Sequence, residues 1–177
     1  MPDDSLARLA ALAGSRLKAA GAMLVTAESC TGGLIAAACT SLAGSSDWFE
    51  RGFVSYSNAA KRELLGVADS LIDAHGAVSA EVACAMADGA LAHSHADVAV
   101  AVTGIAGPGG ATPGKPVGTV WLGWALRGTP ARAELLQLSG DRAAVREQAV
   151  QRALQRVVSL LEDDSGDTAA AGRAQAP

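Results

Sequence analysis

Leu6, Leu9, Ala10, Ala13 and Leu17 recur at three- and four-residue intervals, which predicts an amphipathic helix over 5–20, with Gly21 as its stop. Met23 to Ala27 reads as a short buried strand, broken by Glu28-Ser29-Cys30-Thr31-Gly32-Gly33 before an Ala-rich helical run to about Leu42. Gly52 to Ser57 alternates as a second strand, and Asn58 is placed to cap a helix that ends at Leu65, where Gly66 closes it. Helices follow at 69–75 and 79–93, the second opened by Ser79. Asp97 to Thr103 is the clearest strand, short and β-branched, and it runs straight into Gly104-Ile105-Ala106-Gly107-Pro108-Gly109-Gly110. Val117 to Leu126 and Ala131 to Leu138, parted by a Gly-Thr-Pro turn, read as an antiparallel pair, and Asp141 caps a final helix to about Leu161. Helix–strand alternation followed by a hairpin predicts an α/β fold: one three-layer α/β/α domain over 1–163 with a mixed, mostly parallel sheet. Residues 164–177 carry no periodicity and read as a disordered tail.

Composition narrows the partners. A chain of 177 residues buries roughly 70% of its unfolded surface, enough for a core without staples. Apolar residues make up 50% and charged residues 18%, which excludes a disordered chain. The net charge of −4 supplies no bulk field for a polyanion, and 3% aromatics leave no stacking platform, so no nucleic-acid partner is expected. The odd cysteine count (Cys30, Cys39, Cys84), without a cationic and apolar leader, points to a reduced, cytoplasmic compartment. Ser29 to Ser46 is uncharged, but its Gly, Ser and Thr would leave polar groups unsatisfied in lipid, so no membrane span is expected.

Ligands of open α/β sheets gather at the carboxyl ends of strands, and two loops qualify. The first, 28–33, offers Ser29 as a hydroxyl nucleophile beside backbone N–H groups at a helix start, where negative charge or a phosphate would be stabilised. The plainer reading is that Gly32 and Gly33 make a turn and Ser29 or Thr31 caps the helix. Ser29 needs a base. His93 and His95 do not share a helix face, which argues against a metal pair, and His75 sits at a helix end that favours a cation. Lys61 falls in the first turn of its helix, where the dipole disfavours an ammonium and lowers its pKa; the competing reading is a solvated surface lysine. Cys30 has no partner at a telling spacing and reads as a small buried thiol. Gly109 to Lys115 mimics a P-loop, but Pro116 replaces the magnesium-binding hydroxyl and a strand follows, so an ATPase is rejected. Arg142 and Arg146, early in the last helix, could grip a phosphate or pair with Asp141 and Glu147.

The blocks TAESCTGGLIA (26–36), GSSDWFERGFVSYSNAAK (44–61), HGAVS (75–79), VTGIAGPGG (102–110) and KPVGTVWLGW (115–124) together resemble the CinA C-terminal domain family, the nicotinamide-nucleotide amidohydrolases, over roughly 5–160. The resemblance is to its stand-alone form, without the pyrophosphatase domain of longer members. It implies hydrolysis of the carboxamide of nicotinamide mononucleotide (NMN) to nicotinate mononucleotide and ammonia, without metal or cofactor. By the same resemblance the nucleophile falls on Ser29, the lysine on Lys61, the tyrosine on Tyr56 and the loop threonine on Thr103. Cys30, Thr31, Gly32, Gly33, Gly104 and Arg142 become substrate-binding candidates, with Arg146 competing with Arg142 for the phosphate. Self-association is a further expectation from the family. A nucleotide-binding or competence-related module without turnover, or a generic serine amidase, are the rival readings.

Overall fold

The computed structural model describes residues 4–167 of the chain. Its elements in order are α1 (Asp4–Ala20), β1 (Leu24–Glu28), α2 (Leu34–Thr40), β2 (Phe49–Val54), α3 (Asn58–Leu65), α4 (Asp69–His75), α5 (Ala80–Ala92), β3 (Val98–Gly104), β4 (Thr119–Leu126), β5 (Arg132–Gln137) and α6 (Arg142–Asp167). The five strands form one sheet in the order β2-β1-β3-β4-β5. Strand β1 pairs in parallel with both β2 and β3, whereas β4 is antiparallel to β3 and to β5. Four strands therefore run one way and β4 the other, the mixed and mostly parallel sheet that the pattern predicts.

Two apolar clusters, one on each face, make the three layers. Leu17 of α1, Ile35 of α2 and Leu154 of α6 pack with Leu24, Val100 and Leu122 on one side. Leu65 of α3, Ile72 of α4 and Val82 and Met86 of α5 pack with Val25, Ala27, Ala99 and Ala101 on the other. Each fully buried Leu, Ile or Val contributes about 1.5–3 kcal/mol relative to exposure. Alternate residues of β1 and β3 thus serve opposite layers, so their continuous apolar character is that of strands covered on both faces.

Three local expectations are corrected. Strand β2 is Phe49–Val54 rather than 52–57, because its register with β1 runs from Leu24↔Phe49 to Glu28↔Val54. As an edge strand it tolerates half-buried Glu50 and exposed Arg51, which hide it from a hydrophobicity pattern. The cap of α3 is Ser57, whose hydroxyl accepts from Ala60 N–H at 3.0 Å, and Asn58 is the first helical residue. Helix α2 ends at Thr40, before Leu42. At the other helix starts the sequence signals hold: Ser79 accepts from Val82 N–H at 3.3 Å and Asp141 from Ala144 N–H at 2.9 Å. Helix α6 runs past Leu161, and the tail expected over 164–177 lies, from residue 168, outside the described residues. Among the described residues no helix is long and apolar enough to cross a membrane.

Candidate active site

All five residues of β1 are buried, and their alternation sends Glu28 and Ser29 to opposite faces of the sheet. Glu28, 1% exposed, turns toward α2, where its carboxylate accepts the N–H groups of Ile35 at 2.8 Å and Ala36 at 2.9 Å. The protein's own carboxylate thus occupies the start of α2. These two N–H groups are thereby taken, while those of Cys30, Thr31 and Gly33 meet no main-chain acceptor among the described residues. The Thr26 hydroxyl donates to the same carboxylate at 3.3 Å.

Ser29 turns toward α3 and meets Lys61, the largest of the fully buried side chains at 1% exposure. The Lys61 Nζ lies 3.0 Å from Ser29 Oγ, 3.1 Å from the Ser55 carbonyl oxygen and 3.1 Å from that of Tyr56. Two of these three neighbours can only accept. In this arrangement Lys61 donates to Ser29 Oγ and the Ser29 hydroxyl donates to Tyr56 O at 3.4 Å; an amine that has lost its third proton can keep both carbonyls and offer its lone pair to that hydroxyl instead. Burial pushes the Lys61 pKa below its ordinary 10.5, while the neighbouring Cys30 thiol acts the other way. The depression expected from helix position is thus present, with desolvation as its cause. The solvated-surface reading of Lys61 is set aside by its burial.

The loop that follows Ser29 supplies donors. Ser29 N–H is bound to Val102 O at 2.9 Å, Gly32 N–H to Ser29 O at 3.0 Å and Leu34 N–H to Thr31 O at 3.1 Å. Among the described residues, the N–H groups of Cys30, Thr31 and Gly33 have no such acceptor. Gly32 and Gly33 carry the loop at positive φ, +58° and +99°, where any other L-residue is strained. Cys30 is buried, and its thiol is pushed up to about 11 by that burial, so the thiolate needed for a nucleophile is scarce near neutrality.

The other candidates surround this pair. Thr103 stands beside Ser29 at the end of β3, and its hydroxyl donates to Ala77 O at 2.8 Å, which leaves its oxygen free only to accept. Gly104 packs its bare Cα against β4, where a Cβ would lie 2.6 Å from Val120 Cγ2. Tyr56 reaches the pair through its main-chain carbonyl alone; its ring is 57% exposed, and its hydroxyl accepts from Arg142 Nη2 at 3.1 Å. Arg142 also donates to Gly107 O at 3.0 Å and lines a cavity of about 510 Å³ with Ala106, Pro108 and Val117. Arg146 donates through Nε to Cys30 O at 3.1 Å and through Nη2 to Thr31 O at 3.2 Å, and so faces the loop. The histidines stand apart: His75 is 3.6 Å from Glu81, and His93 Nδ1 is bonded to Gly89 O at 2.8 Å. Sequence reasoning missed Glu28, Ser55 and Ala77. Only Glu28 left a signal, an acid ending an apolar strand just before a helix start.

The CinA C-terminal domain profile matches residues 6–161. The chain belongs to that family. Among curated relatives, the nicotinamide-nucleotide amidohydrolase PncC of Enterobacter agglomerans is 54% identical over 155 residues, covering 88% of this chain and 94% of the relative. The PncC protein of Pseudomonas putida is 52% identical, covering 89% and 98%. A solved CinA-family structure, the competence/damage inducible protein CihA from Agrobacterium tumefaciens, superposes with a TM-score of 0.87 at 43% identity, covering 90% of this chain and 98% of that one. A second, the CinA superfamily protein from Klebsiella pneumoniae 700603, gives 0.86 at 37% identity, covering 89% and 98%.

Proposed function

We propose that this chain is a nicotinamide-nucleotide amidohydrolase that hydrolyses the carboxamide of NMN to nicotinate mononucleotide and ammonia through a Ser29–Lys61 pair. The reading draws on relatives of that name at about half identity over most of the chain. The observation that carries the chemistry is the buried Lys61 amine, 3.0 Å from the Ser29 hydroxyl and tethered by two carbonyls.

In the first half-reaction Lys61 takes the Ser29 proton as the oxygen attacks the carboxamide carbon. The C=O electrons move to the oxygen, which the N–H groups of Cys30 and Thr31 receive; one such donor is worth roughly 3–4 kcal/mol. The tetrahedral centre collapses, the C–N bond breaks, and Lys61 returns the proton to the leaving nitrogen, which departs as ammonia. Thr103, whose oxygen can only accept, is suited to hold a carboxamide N–H during that step. Water then attacks the ester on Ser29, with Lys61 taking its proton and returning it to Ser29 Oγ. The sum is one amide and one water consumed, one acid and one ammonia formed.

Arg142, exposed at the rim and reaching the Tyr56 hydroxyl, is the phosphate ligand in this scheme. No metal or cofactor takes part. The reading also places the protein in the cytoplasm, where the three free cysteines stay reduced. It includes self-association, for which Leu34, Val54 and Tyr56 are among the exposed large apolar side chains. A monomer in sedimentation equilibrium would remove that last part.

The test is incubation of the purified protein with NMN, with and without EDTA, following nicotinate mononucleotide and ammonia. Product formation insensitive to EDTA is expected. Saturable NMN binding without product would leave a binding module, and equal rates with nicotinamide, which lacks the ribose phosphate, would leave a generic amidase.

A further inference from the structure

We infer that Arg146 is a positioning residue for the oxyanion donors, rather than a ligand of the substrate. This rests on the reading of Ser29 as nucleophile. Arg146 is half-buried one turn into α6, and its guanidinium fork closes on two successive carbonyls of the 28–33 loop: Nε on Cys30 O at 3.1 Å and Nη2 on Thr31 O at 3.2 Å. A trans peptide points its C=O and the next N–H in opposite directions. Drawing the Cys30 carbonyl toward α6 therefore turns the Thr31 N–H away from it, and that N–H is one of the three left without an acceptor. Drawing the Thr31 carbonyl the same way turns the Gly32 N–H inward, where it closes the turn on Ser29 O at 3.0 Å. One side chain thereby holds the Cys30–Thr31 peptide plane and shares the Thr31–Gly32 plane with Leu34 N–H, in a loop whose positive-φ glycines allow other arrangements. The guanidinium lies close against the turn: a Cβ on Gly32 would stand 3.5 Å from Arg146 Nη2, in ordinary contact. A planar guanidinium can hold both carbonyls at once, and a lysine ammonium does not match that fork.

Arg146→Ala and Arg146→Lys, the second keeping charge and most of the stem, are compared with wild type. For both, kcat for ammonia release from NMN is expected to fall about 100-fold, as when an oxyanion donor is lost, with KM within about threefold of wild type. Millimolar guanidinium ion is expected to restore part of the lost kcat in Arg146→Ala and none in Arg146→Lys. Labelling of Ser29 by a fluorophosphonate, which needs no nicotinamide nucleotide, is expected to slow in parallel. A raised KM at unchanged kcat would make Arg146 a phosphate ligand and overturn the inference. Wild-type labelling rates in both variants would overturn it as well, whatever the substrate of the enzyme. A wild-type protein that fails to label would sink Ser29 as nucleophile and this inference together.

Discussion

Two glycine-bearing loops leave neighbouring parallel strands at the same edge of the sheet, and they do different work. The loop after β1 keeps its conformation by being held from outside: Glu28 ties its root to α2, Arg146 grips two of its carbonyls, and the N–H groups of Cys30, Thr31 and Gly33 meet no main-chain acceptor among the described residues. The loop after β3 is tied to neighbouring elements at three points. Thr103 donates to Ala77, Ile105 N–H binds Thr119 O at 2.9 Å, and the Gly107 carbonyl takes Arg142. Donors next to a hydroxyl that a buried amine touches can stabilise a transient charge, whereas donors with no such neighbour can only shape a wall. Glycine content does not distinguish the two loops; the Ser29–Lys61 contact at the root of the first does.

The sharpest way to break this contrast is Ser29→Ala, which is expected to cut ammonia release by roughly 10⁴–10⁶-fold while NMN binding, measured by calorimetry, stays within a few-fold. Near-normal turnover would move the chemistry to another group.

Lys61 tests the same loop through pH. Because burial holds its pKa below 10.5, kcat/KM should rise with pH as the amine loses its proton, with a midpoint below 10.5. Stability follows the same sign. Between the folded value and 10.5 the unfolded chain binds more protons than the folded one, so folding stability rises with pH across that window and is lost as pH falls through the folded value. Lys61→Met should abolish activity and remove that rise in urea titrations. An unchanged slope would mean that another group carries it.

On the wall-forming side, Gly104→Ala would force a Cβ to 2.6 Å from Val120 Cγ2 and 3.0 Å from Thr119 O. A stability loss of about 1–3 kcal/mol is expected in thermal melts, exceeding the fractional loss of kcat in the surviving folded protein. Thr103→Val removes the bond to Ala77 and should lower stability by only about 1 kcal/mol. A fall of roughly tenfold in kcat/KM beside it is expected if its oxygen accepts from the carboxamide, since one hydrogen bond is of that size. Unchanged kcat/KM would confine Thr103 to the wall.

Most helices and the order of elements were legible in the sequence because their signals are local: Leu spacing in α1, Ser79 before α5, Asp141 before α6. Strand β2 was legible only in part, since its register belongs to β1 rather than to its own pattern. Of the site, Ser29 and Lys61 could be read from strand–loop–helix context and from resemblance. The part of Tyr56 that meets them is its carbonyl, which no side-chain reasoning points to. Glu28 looked like a member of the polar loop and is instead a buried cap, a role set by which way a strand residue faces.

The sequence by itself determined an α/β chain with a hydroxyl at the end of one buried strand and a lysine early in a later helix. Only the tertiary structure decided that the lysine is sealed from water against that hydroxyl, and that Arg146 turns inward to the loop while Arg142 turns outward to Tyr56. Periodicity reports which face of an element is apolar. Proton affinity and peptide orientation depend on which groups from distant segments replace water around an atom, and that is settled when the layers close.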